Sequence, residues 1–154
     1  MKKLLLSTLL LCACIYVGAQ EKKANPKYDE KLAKEYGADD YGMKMYVLVI
    51  LKTGSNTTET KAKTDSLFAG HMANMGKLVQ QNKLIVAGPL GKNDKSYRGI
   101  FILNTKSLDE AKEMLATDPA VKAKLLDAEL FNWYGSAALP AYLTIDGKMG
   151  KYKF

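Results

Sequence analysis

Histidine occurs once in this 154-residue chain, arginine once, tryptophan once and cysteine twice. So thin a supply of imidazole and thiol argues against a metal centre built within one chain, and none is expected. The single arginine, Arg98, counts against a sequence-reading nucleic-acid binder, because bidentate contacts to phosphates and base edges are arginine chemistry. GxSxG, P-loop, dinucleotide-fingerprint and HExxH patterns are all missing, so no organic cofactor is expected either. What is present is ordinary for a globular fold. Hydrophobic residues make up 47% and charged residues 25%, which excludes collagen-like and wholly disordered readings. The formal charge is +7, yet the lysines interleave with Glu and Asp as a solvated surface does. The length allows one domain with tails.

The N-terminus sets the compartment. Lys2 and Lys3 precede an apolar run from Leu4 through Val17, and Val17-Gly18-Ala19 has the small-residue ending that a signal peptidase requires. The run is shorter than the roughly 20 residues of a membrane span, so residues 1–19 read as a secretory signal peptide. Cleavage after Ala19 leaves 154 − 19 = 135 residues beginning at Gln20, without either cysteine and with a charge of 21 − 16 = +5. A competing reading makes Leu11-Cys12-Ala13-Cys14 a loose lipoprotein signal, with Cys14 as the lipidated N-terminus. Under both readings the protein is exported, to the periplasm or the medium. No later apolar run reaches membrane length, so no stable span is expected.

Residues 20–44 read as a polar tether and a short helix, Tyr28 to Tyr36, stopped by Gly37. Met45 to Leu51 is a buried strand of Tyr, Val and Ile. From about Thr58 to Asn82 the period is helical, with Leu67, Phe68, Met72, Met75, Leu78 and Val79 on one broad face. Leu84 to Ala87 is a second strand ended by Gly88-Pro89, and Gly99 to Leu103 is a third. Ser107 with Glu110 three residues on is a capping box that opens a helix reaching about Thr117. Asp118-Pro119 starts a further helical turn, and Ala128 to Tyr134 is a fourth strand. Strand, helix, strand, strand, helix, strand is the split βαβ order, an α+β ferredoxin-like unit over residues 45–134. Residues 135–154 remain as a C-terminal extension.

Helices cover one face of such a sheet. The other face also wants cover, since Met45–Leu51 and Gly99–Leu103 are apolar at consecutive positions. Two solutions are open. A homodimer packs two sheets face to face, or the extension, with Leu139, Tyr142 and Leu143, folds back over its own sheet.

His71 is the one residue suited to proton transfer near neutrality, and helical phase puts it between Leu67, Met75 and Leu78 on the inward face. A buried histidine with a single hydrogen-bond partner is the plainer reading of that position. Asp118-Pro119 is equally an ordinary helix start, and Gly88-Pro89 an ordinary strand terminator. Taken in order, however, His71, Leu84-Ile85-Val86-Ala87-Gly88-Pro89, Ala111 and Asp118-Pro119 resemble the YCII-related (YciI-like) family of the dimeric α/β-barrel superfamily, over about Met45 to Tyr134. The resemblance implies a barrel-like homodimer and a His–Asp dyad in a cleft, here His71 and Asp118. Met75, Gly88 and Pro89 are the candidate pocket walls. Two positions depart from the family pattern: Phe68 stands where arginine is frequent, and Ala120 where an aromatic often follows Asp-Pro. Both make the pocket less polar or wider, which argues against an arginine-assisted anionic substrate.

Three functions compete on these residues. The leading expectation is a small lyase, isomerase or hydrolase in which His71 moves a proton while Asp118 holds its tautomer. The others are a binding module for a small molecule and a structural envelope protein in which the histidine is packing. Mass spectrometry of the native protein should find Gln20 at the N-terminus. A lipid-modified Cys14 in the membrane fraction would make it a lipoprotein instead.

Overall fold

Side-chain alternation along the first long strand decides the architecture. In β1 (Met43–Thr53), Val47, Val49 and Leu51 turn to one face, while Tyr46, Leu48 and Ile50 turn to the other. The computed structural model describes residues 24–151, so residues 1–19, expected to be a signal peptide, with Cys12 and Cys14, and Gln20 lie outside the described residues. The elements run α1 (Glu30–Tyr36), β1, α2 (Lys61–Gln80), β2 (Leu84–Pro89), β3 (Tyr97–Leu103), α3 (Leu108–Ala116), α4 (Pro119–Lys122) and β4 (Leu126–Ser136). A 3-10 turn (Leu139–Tyr142) and α5 (Leu143–Asp146) follow. The sheet is antiparallel with strand order β2-β3-β1-β4, the α+β ferredoxin-like arrangement that the element order implies.

Element ends differ from the sequence pattern for local reasons. The first helix starts at Glu30 rather than Tyr28, because the Asp29 side chain caps it by accepting from the Leu32 amide. Pairing between β1 and β4 continues to Met43 opposite Ser136, where the side-chain pattern has already faded. Gly88 and Pro89 belong to β2 rather than ending it, since β2 is an edge strand and tolerates a proline. The capping box at α3 is half reciprocal. Ser107 Oγ accepts from the Glu110 amide at 3.2 Å, but the Glu110 carboxylate accepts from Thr105 Oγ1 at 2.6 Å. Thr105 Oγ1 in turn accepts from the Ser107 amide at 3.0 Å, so a relay replaces the second arm.

The main core lies between the helices and the sheet, with Val47, Val49, Leu84, Phe101 and Leu103 meeting Leu78, Ala111, Met114 and Leu115. The buried face of α2 is narrower than the sequence pattern implies. Met72 is 43% exposed and Val79 36%, because both sit well round the helix from His71 and Leu78, the two buried residues.

On the outer sheet face Tyr46, Ile85 and Ile102 are buried, and Leu139, Tyr142 and Leu143 pack against them. The Tyr142 hydroxyl donates to the Ile85 carbonyl, which ties the extension to the edge strand. Tyr46 donates its own hydroxyl to the Ser136 carbonyl at 2.8 Å, and burial pushes that phenol up to about 12. The fold-back cover is therefore in place over part of this face. Leu48, Ile50 and Ile100 stay half-buried and Phe131 is exposed. Among the described residues no helix is long and apolar enough to cross a membrane.

Candidate active site

His71 lies midway along α2 on the side turned to the sheet. Its ring stacks on Phe101 of β3 at a centroid distance of 5.9 Å and meets the edge of Phe68, one turn back, at 6.0 Å. Both neighbours are apolar, so the imidazole has to find its polar partner elsewhere.

That partner comes from the corner between α3 and α4. There the Asp118 amide donates to the Leu115 carbonyl at 3.0 Å, closing α3, and Pro119 opens α4 at a position where no amide proton is needed. As the cap of α4, Asp118 Oδ1 accepts from the amides of Ala120 at 2.9 Å and Val121 at 3.4 Å. Capping occupies one carboxylate oxygen and leaves the other facing α2. His71 Nδ1 meets that oxygen, Oδ2, at 2.6 Å. Asp118 is only 1% exposed, and a carboxylate that deep must have its lone pairs filled.

The hydrogen bond also assigns the tautomer. An ionised carboxylate can only accept, so Nδ1 carries the proton and Nε2 presents its lone pair. Nε2 has no hydrogen-bond partner among the described residues. Among the described residues no buried side-chain nitrogen or oxygen lacks one, so Nε2 reaches the surface; the His71 side chain is 10% exposed. A basic nitrogen, fixed in direction and without a hydrogen-bond partner among the described residues, is what a proton acceptor requires.

The model of the YCII-related domain matches residues 45–133, more than half of the chain. The chain belongs to the YCII-related family. The match spans β1 to β4 and includes His71 and Asp118, while α1 and the extension beyond Ser136 lie outside it. Among solved structures the chain is similar to the 5-chloro-2-hydroxyhydroquinone dehydrochlorinase TftG from Burkholderia phenoliruptrix AC1100, in complex with 2,5-dihydroxybenzoquinone. Identity is 26% and the TM-score 0.41, over 56% of this chain and 92% of that one. No curated protein sequence matches.

Within this YCII-related unit the sequence-expected pocket residues are placed differently from one another. Met75 stands one turn beyond His71, half-buried and packed into the same core. Gly88 pairs with Ile100, itself opposite Ile50, which sets it on the outer face; Ala87, opposite Phe101, takes the helix side. Pro89 is exposed at the end of the edge strand, opposite Gly99. Sequence reasoning missed Phe101 as a neighbour of the imidazole, since a strand residue gives no sign of which helix side chain it will meet. It also passed over Gly70, whose place inside a helix was a readable signal of close approach.

A separate cleft of about 560 Å³ opens near the start of α3, among Asp39, Met43, Met45, Asn104, Lys106 and Tyr134. Glu110 and Asp39, its two acids, are both engaged, Glu110 by the Thr105 hydroxyl. The Tyr134 hydroxyl, helped by the Met43 amide, holds the Asp39 carboxyl below the usual carboxylate range. Among the described residues no three His, Cys, Asp or Glu side chains gather into a metal site.

His71 is the one histidine in the chain, so its imidazole signals in a tag-free sample are unambiguous. Nitrogen NMR should show that the neutral ring carries its proton on Nδ1 and leaves Nε2 bare. Asp118→Asn, whose amide can donate, should disturb that assignment. A neutral ring with its proton on Nε2 in the wild-type protein would contradict the geometry.

Proposed function

We propose that this YCII-related protein is an acid/base enzyme acting on a small, uncharged organic molecule, with Nε2 of His71 as the proton-transferring atom. The observation that carries the reading is the 2.6 Å bond from His71 Nδ1 to Asp118 Oδ2 with Nε2 left without a partner among the described residues. A histidine kept only for packing gains nothing from an open second nitrogen. When Nε2 takes a proton the ring becomes an imidazolium, and the buried carboxylate at its other nitrogen stabilises it in place. The same ring can then return the proton to a neighbouring atom, the sequence of events in an isomerisation or elimination. Phe68 and Phe101 around the ring favour an apolar, flat molecule over an anion. The low exposure of the imidazole favours a second reading, a binding module that holds the same kind of molecule without turnover.

His71→Gln keeps side-chain hydrogen bonding and removes proton transfer. A panel of enolisable ketones and hydroxylated aromatic rings, incubated in deuterated water, reports carbon-bound proton exchange by NMR. Exchange or turnover found with the wild type should fall by roughly 10²–10⁴-fold in the variant, with the melting temperature little changed. An unchanged rate refutes the role of His71. Binding without any exchange establishes the module.

The protein is further proposed to work outside the cytoplasm as a homodimer. The signal-peptide grammar of residues 1–19 supports the first part. The strip of Leu48, Ile50, Ile100 and Phe131, left incompletely covered on the outer sheet face, supports the second. Residues 20–154 at micromolar concentration should scatter light as twice the chain mass. A clean monomer would leave the extension as the sole cover of that face.

A further inference from the structure

We propose that Gly70, Asn74 and Thr117 are positioning residues that set the separation of His71 and Asp118; the proposal rests on the acid/base reading of that pair. Helix α2 meets the corner between α3 and α4 along a short antiparallel seam. Gly70 lies against Pro119, His71 against Asp118, and Asn74 against Thr117. The central contact is the dyad, and its two flanking contacts involve the residues immediately beside Asp118 on either side.

Each flank acts through geometry. A Cβ built on Gly70 would stand 2.9 Å from Cγ and 3.3 Å from Cβ of Pro119, so the proline ring occupies the space that a side chain would need. That ring is rigid and directly follows Asp118, so any displacement of it passes to the carboxylate. On the other flank the Thr117 hydroxyl shares its single proton between the Met114 carbonyl at 2.7 Å and Asn74 Oδ1 at 3.0 Å, and the contact holds the last turn of α3 against α2. Proton-transfer geometry tolerates about 0.5 Å of error. A seam pinned at both ends keeps a 2.6 Å bond within that margin.

The test uses the full, tag-free chain in three variants: Gly70→Ala, Thr117→Val and Thr117→Ser. The readout is the His71 Nδ1–H resonance and its exchange with solvent, with the melting temperature recorded on the same samples. Gly70→Ala replaces a poor helix former with the best one, so helix content holds while the resonance shifts and exchange quickens by about tenfold or more. Thr117→Val, which matches the shape without the hydroxyl, moves the signal the same way, and Thr117→Ser restores it. Turnover of any identified substrate falls in step, by up to about 10²-fold for a displacement near 1 Å. If Gly70→Ala does not fold, the valine and serine pair decides. A resonance unmoved by Gly70→Ala and Thr117→Val, while Asp118→Asn moves it, overturns the proposal. Failure of the catalytic reading looks different: His71→Gln keeps its turnover, and the resonance shifts still occur.

Discussion

The Asp118 carboxylate, almost wholly removed from water, is the group around which this fold is arranged. A charge buried so deeply is tolerated only when donors surround it. Two amides of α4 and one imidazole nitrogen supply them, at 2.9, 3.4 and 2.6 Å. The same side chain thus starts a helix, closes a core and fixes the direction of the histidine. No apolar residue could do all three. Removing either partner would strand a polar group in the core, at a cost of order 3–5 kcal/mol for a broken buried pair.

Close approach of the two helical segments has its own cost. Gly70 weakens the interior of α2 by roughly 0.5–1 kcal/mol relative to alanine. The chain accepts that loss at the position where Pro119 would collide with a methyl group. Helix propensity is sacrificed where it would push the dyad apart. Gly76, the other glycine of α2, would meet nothing within 4 Å of an added Cβ, so Gly70 is the one at which a neighbour requires the missing side chain.

Much of this was legible in the chain itself. The element order follows from where the hydrophobic period changes, and the strand core of Val47, Val49, Phe101 and Leu103 follows from runs of β-branched and aromatic residues. His71 facing inward follows from helical phase, and its partner Asp118 from the family resemblance. What was not legible is long-range and aperiodic. Phe101 meets His71 because of a register between β3 and β1, and Gly88 turns outward because of the irregularity between Leu84 and Val86. Likewise the breadth of the α2 face was overread, since Met72 and Val79 are apolar but no element lies over them. The fold-back of Leu139, Tyr142 and Leu143 was the less expected of the two covers, since apolar runs in the strands pointed first to a second sheet.

The surroundings of the dyad also narrow its chemistry. Phe101 and Phe68 exclude water from most of the ring and offer no donor to a developing anion. Neither His71 nor Asp118 has a lysine or arginine as a hydrogen-bond partner, and Arg98 is exposed on β3. Under the proposed reading, negative charge generated beside Nε2 has the newly formed imidazolium as a counter-charge. A reaction through a long-lived tetrahedral oxyanion, as in ester or amide hydrolysis, needs a preorganised pair of donors that this setting does not provide. Short-lived charge separation, in which the proton is taken and soon returned or a leaving group departs, needs only the imidazolium itself. Under the proposed acid/base reading, isomerisation and elimination suit the apolar surroundings of the ring better than hydrolysis.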